Sequence, residues 1–310
     1  MKKCVHRFAL LALFGFAASL VAAPQEVALD NQPIDAVELD ESEGGWAFGG
    51  AAGLDFCSKQ ITYGLIDNPH AILTPSAEIS FGNEEYFTIT LGVEALFDTT
   101  NFGAKEGFYN DRRWKYQELD PSITLSKTWD TEAALGGNLV TELGYIYEYH
   151  PRSCNKPAAE YSNPDTQWLT FAIGLEDDFL NPTFTLEYQL ARQGMEGDCD
   201  GKGGVYATFE ISHTFDLGAR MGMEEGVLCL TPGAGIGMAN KERNMADFEE
   251  NDRFMFRDAF ASLELAYAPC EGLTLAPYIG CHQQLDSDAK DATGDDDFVA
   301  YAGVSLSYEF

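Results

Sequence analysis

The chain has 310 residues, 45% of them hydrophobic and 13% aromatic, with 50 acidic side chains against 19 basic ones and a net charge of −31. Such acidity excludes nucleic acid and an anionic lipid surface as the main partner. Beyond the first residues no run approaches the ~18 apolar residues of a membrane helix, so any membrane crossing must be made by strands.

The N-terminus has the three parts of a secretory signal: Lys2, Lys3 and Arg7, an apolar stretch over 8–21, and the small pair Ala22–Ala23. Residues 1–23 therefore read as a signal peptide. Cys4 lies in the charged part, away from the cleavage region, which argues against a lipoprotein anchor. Residues 24–44 are acidic and poor in aromatics and read as a flexible periplasmic lead-in. A plug folded into the protein is the alternative.

From residue 45 onward, segments of about ten residues alternate apolar and polar side chains, the period of a strand. Twelve strands are expected, over 45–57, 71–81, 86–97, 115–128, 135–149, 167–176, 183–193, 204–215, 227–239, 255–268, 273–284 and 298–310. The third is clear: Phe87, Ile89, Leu91, Val93, Ala95 and Phe97 share one face, with Thr88, Thr90, Gly92 and Glu94 opposite. A tilted strand of about ten residues spans a bilayer. Connections alternate between short turns and long polar loops, the latter over 98–114, 150–166, 240–254 and 285–297. A soluble β-sandwich also alternates, but strands this long in unbroken up-and-down order are uncommon there. Pro75, Pro121, Pro232 and Pro277 fall on the outward face, so each is expected to sit at a bulge or to leave one carbonyl unpaired.

The last strand reads FVAYAGVSLSYEF: Phe298, Ala300, Ala302, Val304, Leu306, Tyr308 and Phe310 alternate with small or polar residues. In this ending, and in the leader and the repeated alternation, the chain resembles the Gram-negative outer-membrane β-barrels, and among them the twelve-stranded porin-like subgroup. The resemblance covers 45–310. It implies an all-β fold: a single transmembrane antiparallel up-and-down barrel of about 12 strands, with short periplasmic turns and longer extracellular loops. It further implies integral outer-membrane localisation, contact with outer-membrane lipid, and Phe310 with Tyr308 as the signal read by the barrel-assembly machinery.

If the apolar face meets lipid, the inward face collects Asp55, Glu78, Glu94, Asp120, Glu142, Glu148, Glu187, Glu210, Asp258 and Glu264, while Lys127, Arg192 and Arg257 fall on the other face at strand ends. Burying one ionised carboxylate dry costs several kcal/mol. Three outcomes remain open: a wet lumen, bound cations, or protonated carboxyls. Twelve strands enclose more than a packed core and less than a wide channel. Inward glycines, Gly92, Gly144, Gly235, Gly237, Gly280 and Gly303 among them, are expected to leave room for water. The expected function is a porin-like channel for passive diffusion of small solutes, made cation-preferring by Glu78, Glu94, Glu142, Glu187, Glu210, Asp258 and Glu264. A structural or adhesive surface barrel and a barrel-embedded hydrolase are the alternatives.

No catalytic residue is assigned. Ser212 and His213 are adjacent and point to opposite faces, so they cannot pair as nucleophile and base. No resident cofactor is expected; a loop-bound divalent cation is the exception considered, with Asp198, Asp200, Asp295 and Asp296 as candidate ligands. Of seven cysteines, topology suggests the pairs Cys154–Cys199 and Cys229–Cys270, with Cys57–Cys281 as a third.

Overall fold

In a computed structural model, described for residues 46–83, 86–99, 115–149, 165–177, 180–192, 202–248, 252–286 and 297–310, the chain forms a closed antiparallel β-barrel. Its strands are β1 (Ala47–Cys57), β2 (Gln60–Thr62), β3 (Leu65–Asn68), β4 (Ile72–Asn83), β5 (Phe87–Asp98), β6 (Lys115–Trp129), β7 (Gly137–Glu148), β8 (Thr166–Asp177), β9 (Thr183–Arg192), β10 (Val205–Ser212), β11 (Phe215–Asp216), β12 (Leu228–Ala239), β13 (Met255–Cys270), β14 (Leu273–Gln284) and β15 (Phe298–Glu309). Short helices α1 (Glu132–Leu135), α2 (Leu217–Arg220) and α3 (Lys241–Phe248) lie in connections. Apart from β2, β3 and the two-residue β11, the strands run up and down in chain order as a 12-strand barrel. The ring closes where β1 pairs with β15, from Ala51–Glu309 to Cys57–Gly303, so every ladder has a partner.

The alternation sorts side chains as oil against polar interior. Phe48, Ile79, Leu91, Ile123, Leu143, Phe209, Leu263, Ile279 and Leu306 all stand exposed on the outer face. So continuous an apolar band is stable only against hydrocarbon. Trp46, Trp129, Tyr267 and Phe310 are exposed at the end where β1 begins and β15 finishes, here called the terminal end. Trp46 stacks on Phe81 at 4.8 Å between ring centres.

The prolines do not mark bulges. Register runs without a shift through Leu54–Pro75, Val93–Pro121, Pro232–Leu263 and Pro277–Val304. Bulges occur elsewhere, notably at Gly237/Met238 opposite β13 and at Leu96/Phe97 opposite β6.

The connection between β1 and β4 folds inward. Its strands β2 and β3 form a hairpin whose turn, Tyr63–Gly64, has φ of 53° and 74°. Left-handed values at both positions mark the tight turn that suits the twist of paired strands. Tyrosine bears a steric cost there, offset by the burial of its ring. Ile61 packs among Cys57, Ile72, Leu96, Tyr278, Val299 and Tyr301, while Tyr63 packs among Trp168, Tyr206 and Ala239. Leu65 lies against Met255. The hairpin thus crosses the lumen from the β1–β15 wall to the β8–β12 wall. Burying each large apolar side chain contributes about 1.5–3 kcal/mol, enough together to hold it in place.

Candidate functional site

The lumen divides by water access. Toward the terminal end and middle, Glu78, Glu94, Glu142, Glu210 and Glu264 occupy inward register positions and are half-buried. Around the hairpin, Glu187 and Asp258 also face inward but are buried, Asp258 completely. Inward Glu118, Asp120 and Glu148 are buried with them.

The buried half also holds cations, and Arg257 corrects the sequence reading. Its side chain is fully enclosed, on the lumen side. The cause is the β12–β13 bulge: Gly237 pairs with Asp258 and Met238 with Phe256, leaving Arg257 as the extra residue. Consecutive Arg257 and Asp258 therefore both turn inward, against strict alternation. Arg243, on α3, is the second cation.

These side chains form one connected network. The Arg243 guanidinium stands 4.2 Å from the Tyr63 ring centre and 5.1 Å from that of Trp168. Its Nη1 donates to Gln189 Oε1 at 3.1 Å, and its Nε lies 3.0 Å from Asp247 Oδ2. The same Asp247 oxygen accepts from Arg257 Nη1 at 2.5 Å. Arg257 lies 5.9 Å from the ring centre of Tyr206, whose hydroxyl donates to Asp258 Oδ1 at 2.8 Å. Asp258 Oδ2 is 3.2 Å from His282 Nδ1, and the His282 ring stacks on Phe260 at 5.4 Å. The Gln284 side-chain amide donates to the Gly64 carbonyl, tying the hairpin tip to β14. Aromatic faces and paired carboxylates make this half cohesive without leaving the two arginines as bare buried charges.

Several inward glycines serve aromatic rings rather than water. A Cβ at Gly280 would lie 2.3 Å from the Tyr301 ring, one at Gly303 2.3 Å from Tyr278, and one at Gly235 2.3 Å from Phe260. Rings on neighbouring strands lie across these positions and narrow the lumen. The Tyr278 hydroxyl also donates to Asp55 Oδ2 at 2.9 Å.

Cys229 and Cys270 are free thiols, and so are Cys57 and Cys281. Register explains both corrections. Cys229 lies opposite Ala266, four residues short of Cys270. Cys57 faces the lumen, whereas Cys281, opposite Ala300, belongs to the outward set, and β15 separates the two strands. Cys154, Cys199, Asp198, Asp200, Asp295 and Asp296 lie outside the described residues, as do segments 1–23 and 24–44. Among the described residues no three His, Cys, Asp or Glu side chains converge as ligands of a metal ion. Ser212 pairs in register with Gly233, and the His213 ring packs edge-on against Phe215 at 4.3 Å.

The hairpin and the two inward arginines were not anticipated. The hairpin had a signal in Ile61, Tyr63, Leu65 and Ile66, too apolar for a loop in water. Arg257 had none.

No family model and no curated protein matches the chain. Solved structures similar to it include a KdgM porin, at 10% identity over 84% of this chain and 99% of that one, TM-score 0.42. Others are an outer membrane channel from Pseudomonas putida F1, at 8% identity over 88% and 100%, TM-score 0.44, and outer membrane phospholipase A from Escherichia coli, at 11% identity over 88% and 95%, TM-score 0.44. The function of none of them passes to this chain at such identities; what is shared is the barrel.

Proposed function

We propose that the protein is a bacterial outer-membrane channel through which small solutes diffuse passively, with cations preferred. In this reading the terminal end faces the periplasm and the hairpin lies toward the outside. Outer-membrane lipid surrounds the apolar band, and strand β15 engages the assembly machinery.

One observation carries the reading: Glu78, Glu142, Glu210 and Glu264 point inward and yet remain half-buried rather than sealed. Carboxylates enclosed dry would each cost several kcal/mol, so the space they line is hydrated. A low-dielectric wall around hydrated negative charge focuses its potential, concentrating cations and repelling anions. The hairpin, α3 with Arg243, and Arg257 on β13 form a narrower, mixed-charge zone in series with this vestibule. Preference for cations is thus assigned to the vestibule, and solute size to the hairpin zone.

Reversal potentials across a planar bilayer in a KCl gradient test this. Replacing Glu78, Glu142 and Glu264 together with Gln is expected to lower the cation-to-anion permeability ratio several-fold. An unchanged ratio removes the cation preference; the absence of any current from the wild-type chain removes the channel.

A further inference from the structure

Two aromatic rings and two acceptors meet on one guanidinium group. The ring centres of Tyr63 and Trp168 are 5.6 Å apart, and the Arg243 guanidinium lies 4.2 Å from the first and 5.1 Å from the second. The rings are therefore two walls of a corner rather than the two sides of a sandwich. Tyr206 meets Tyr63 edge-on at 4.8 Å and backs the corner with a third ring. At the edges of the planar group, Gln189 Oε1 accepts from Nη1 at 3.1 Å and Asp247 Oδ2 lies 3.0 Å from Nε. Aromatic faces for the plane and acceptors for its N–H edges suit a guanidinium better than a compact, strongly hydrated ammonium.

Each wall of the corner has an anchor other than Arg243. Trp168, Gln189 and Tyr206 belong to the barrel strands β8, β9 and β10. The hairpin that carries Tyr63 is tied at its tip by the Gln284–Gly64 bond and along its length by Ile61 and Leu65. Asp247 is held by Arg257. Helix α3 is fastened at its start by Asn240, whose Oδ1 accepts from the amides of Val205 and Arg243 at 2.8 and 3.0 Å. Asn240 Nδ2 donates to the Gly203 carbonyl at 2.9 Å, and Asn244 Nδ2 donates to the Arg253 carbonyl at 2.7 Å. The Arg243 side chain thus fills a corner that other contacts assemble, and it can leave without the helix moving.

We propose that Tyr63, Trp168, Gln189 and Asp247 form a recognition site for a guanidinium-bearing solute, with Arg243 as its tethered, exchangeable occupant. A tethered group competes at an effective concentration of roughly millimolar, so a free solute enters by displacing it. The role of the site in transport rests on the channel reading, which it deepens by naming a class of solute that the hairpin zone recognises. Binding itself needs no current.

Calorimetry on the full chain folded in detergent micelles tests it, with methylguanidinium chloride, methylammonium chloride and urea as probes. Arg243→Ala empties the corner and is expected to bind methylguanidinium, to bind methylammonium roughly tenfold more weakly, and to ignore urea, which is planar but uncharged. Wild type, where Arg243 competes, is expected to bind methylguanidinium roughly tenfold more weakly than the variant. In the Arg243→Ala background, Trp168→Leu and Asp247→Asn should each weaken it by roughly tenfold again. Lys241→Ala, at the exposed start of α3, should leave that affinity unchanged. If Arg243→Ala does not fold, wild type must itself prefer methylguanidinium to methylammonium by roughly tenfold. The site is overturned if the folded variant gives no methylguanidinium heat, if methylammonium or urea matches it, or if wild type binds as tightly as the variant. It is also overturned if wild type gives no heat at all, since Arg243 would then be a fixed part of the wall. A chain that binds in this way without conducting keeps the site and loses the channel; one that conducts without this binding keeps only the channel.

Discussion

The guanidinium of Arg243 lies 4.2 Å from the ring centre of Tyr63, although 180 residues separate them in the chain. Each belongs to a connection between barrel strands, one a hairpin and the other a helix. The contact joins them, and Asp247 extends the link to Arg257 on the barrel wall. The lumen is therefore obstructed by two connections that brace each other.

Loosening that brace should widen the passage. Arg243→Ala removes the stacking on Tyr63 and Trp168 and the contacts to Gln189 and Asp247, and is expected to raise single-channel conductance or add long open events. Tyr63→Ala should do the same. Unchanged conductance in both variants would mean that the hairpin holds its place by Ile61 and Leu65 alone.

Arg257→Ala tests the bulge. It removes one of the two enclosed cations on Asp247, leaving Arg243, so the cost falls below the ~3–5 kcal/mol of a buried charge left with no partner. The temperature at which the compact band on an unheated SDS gel converts to the unfolded one should fall clearly. A conversion temperature within error of wild type would place the side chain in water.

Phe310 closes the ring. Its backbone exchanges two hydrogen bonds with Gly50, at 3.0 and 2.9 Å, and its ring lies over that glycine. Deleting Phe310 removes both bonds and the ring at the β1–β15 seam. Refolding into lipid vesicles should slow, and the folded yield should fall. Equal yield and rate would confine its part to the surface.

Asp216 predicts a pH effect at the terminal end. The amides of Ala219 and Gly226 donate to its carboxylate at 2.7 and 3.0 Å and hold it below the usual carboxylate range. A carboxyl lowered by folding stabilises the turn above its unfolded value, and that stability is lost as pH falls through the folded value. The 216–226 turn should become more protease-sensitive in acid relative to the barrel. Asp216→Asn should already be sensitive near neutrality and lose this dependence.

Much of the fold was legible along the chain because a strand exposes its facing at every second residue. Phe87 to Phe97 could be assigned to lipid without knowing a neighbour, and the expected segment 273–284 coincides with β14. Legibility ended where facing depends on a second strand. The bulge opposite Gly237 exists only in the pairing of β12 with β13, and it turns Arg257 inward against the rule that placed it outside. The inward glycines had the same limit: Gly280 and Gly303 look like empty space until Tyr301 and Tyr278 are laid across them.

By itself, then, the sequence determined the strands, their order and the division of oil from polar interior, because these follow from local periodicity and chain direction. The tertiary structure alone decided what fills that interior. Whether an apolar hairpin lies in water or in the lumen depends on walls drawn from β1, β8, β10 and β12, and those walls exist only once the ring has closed.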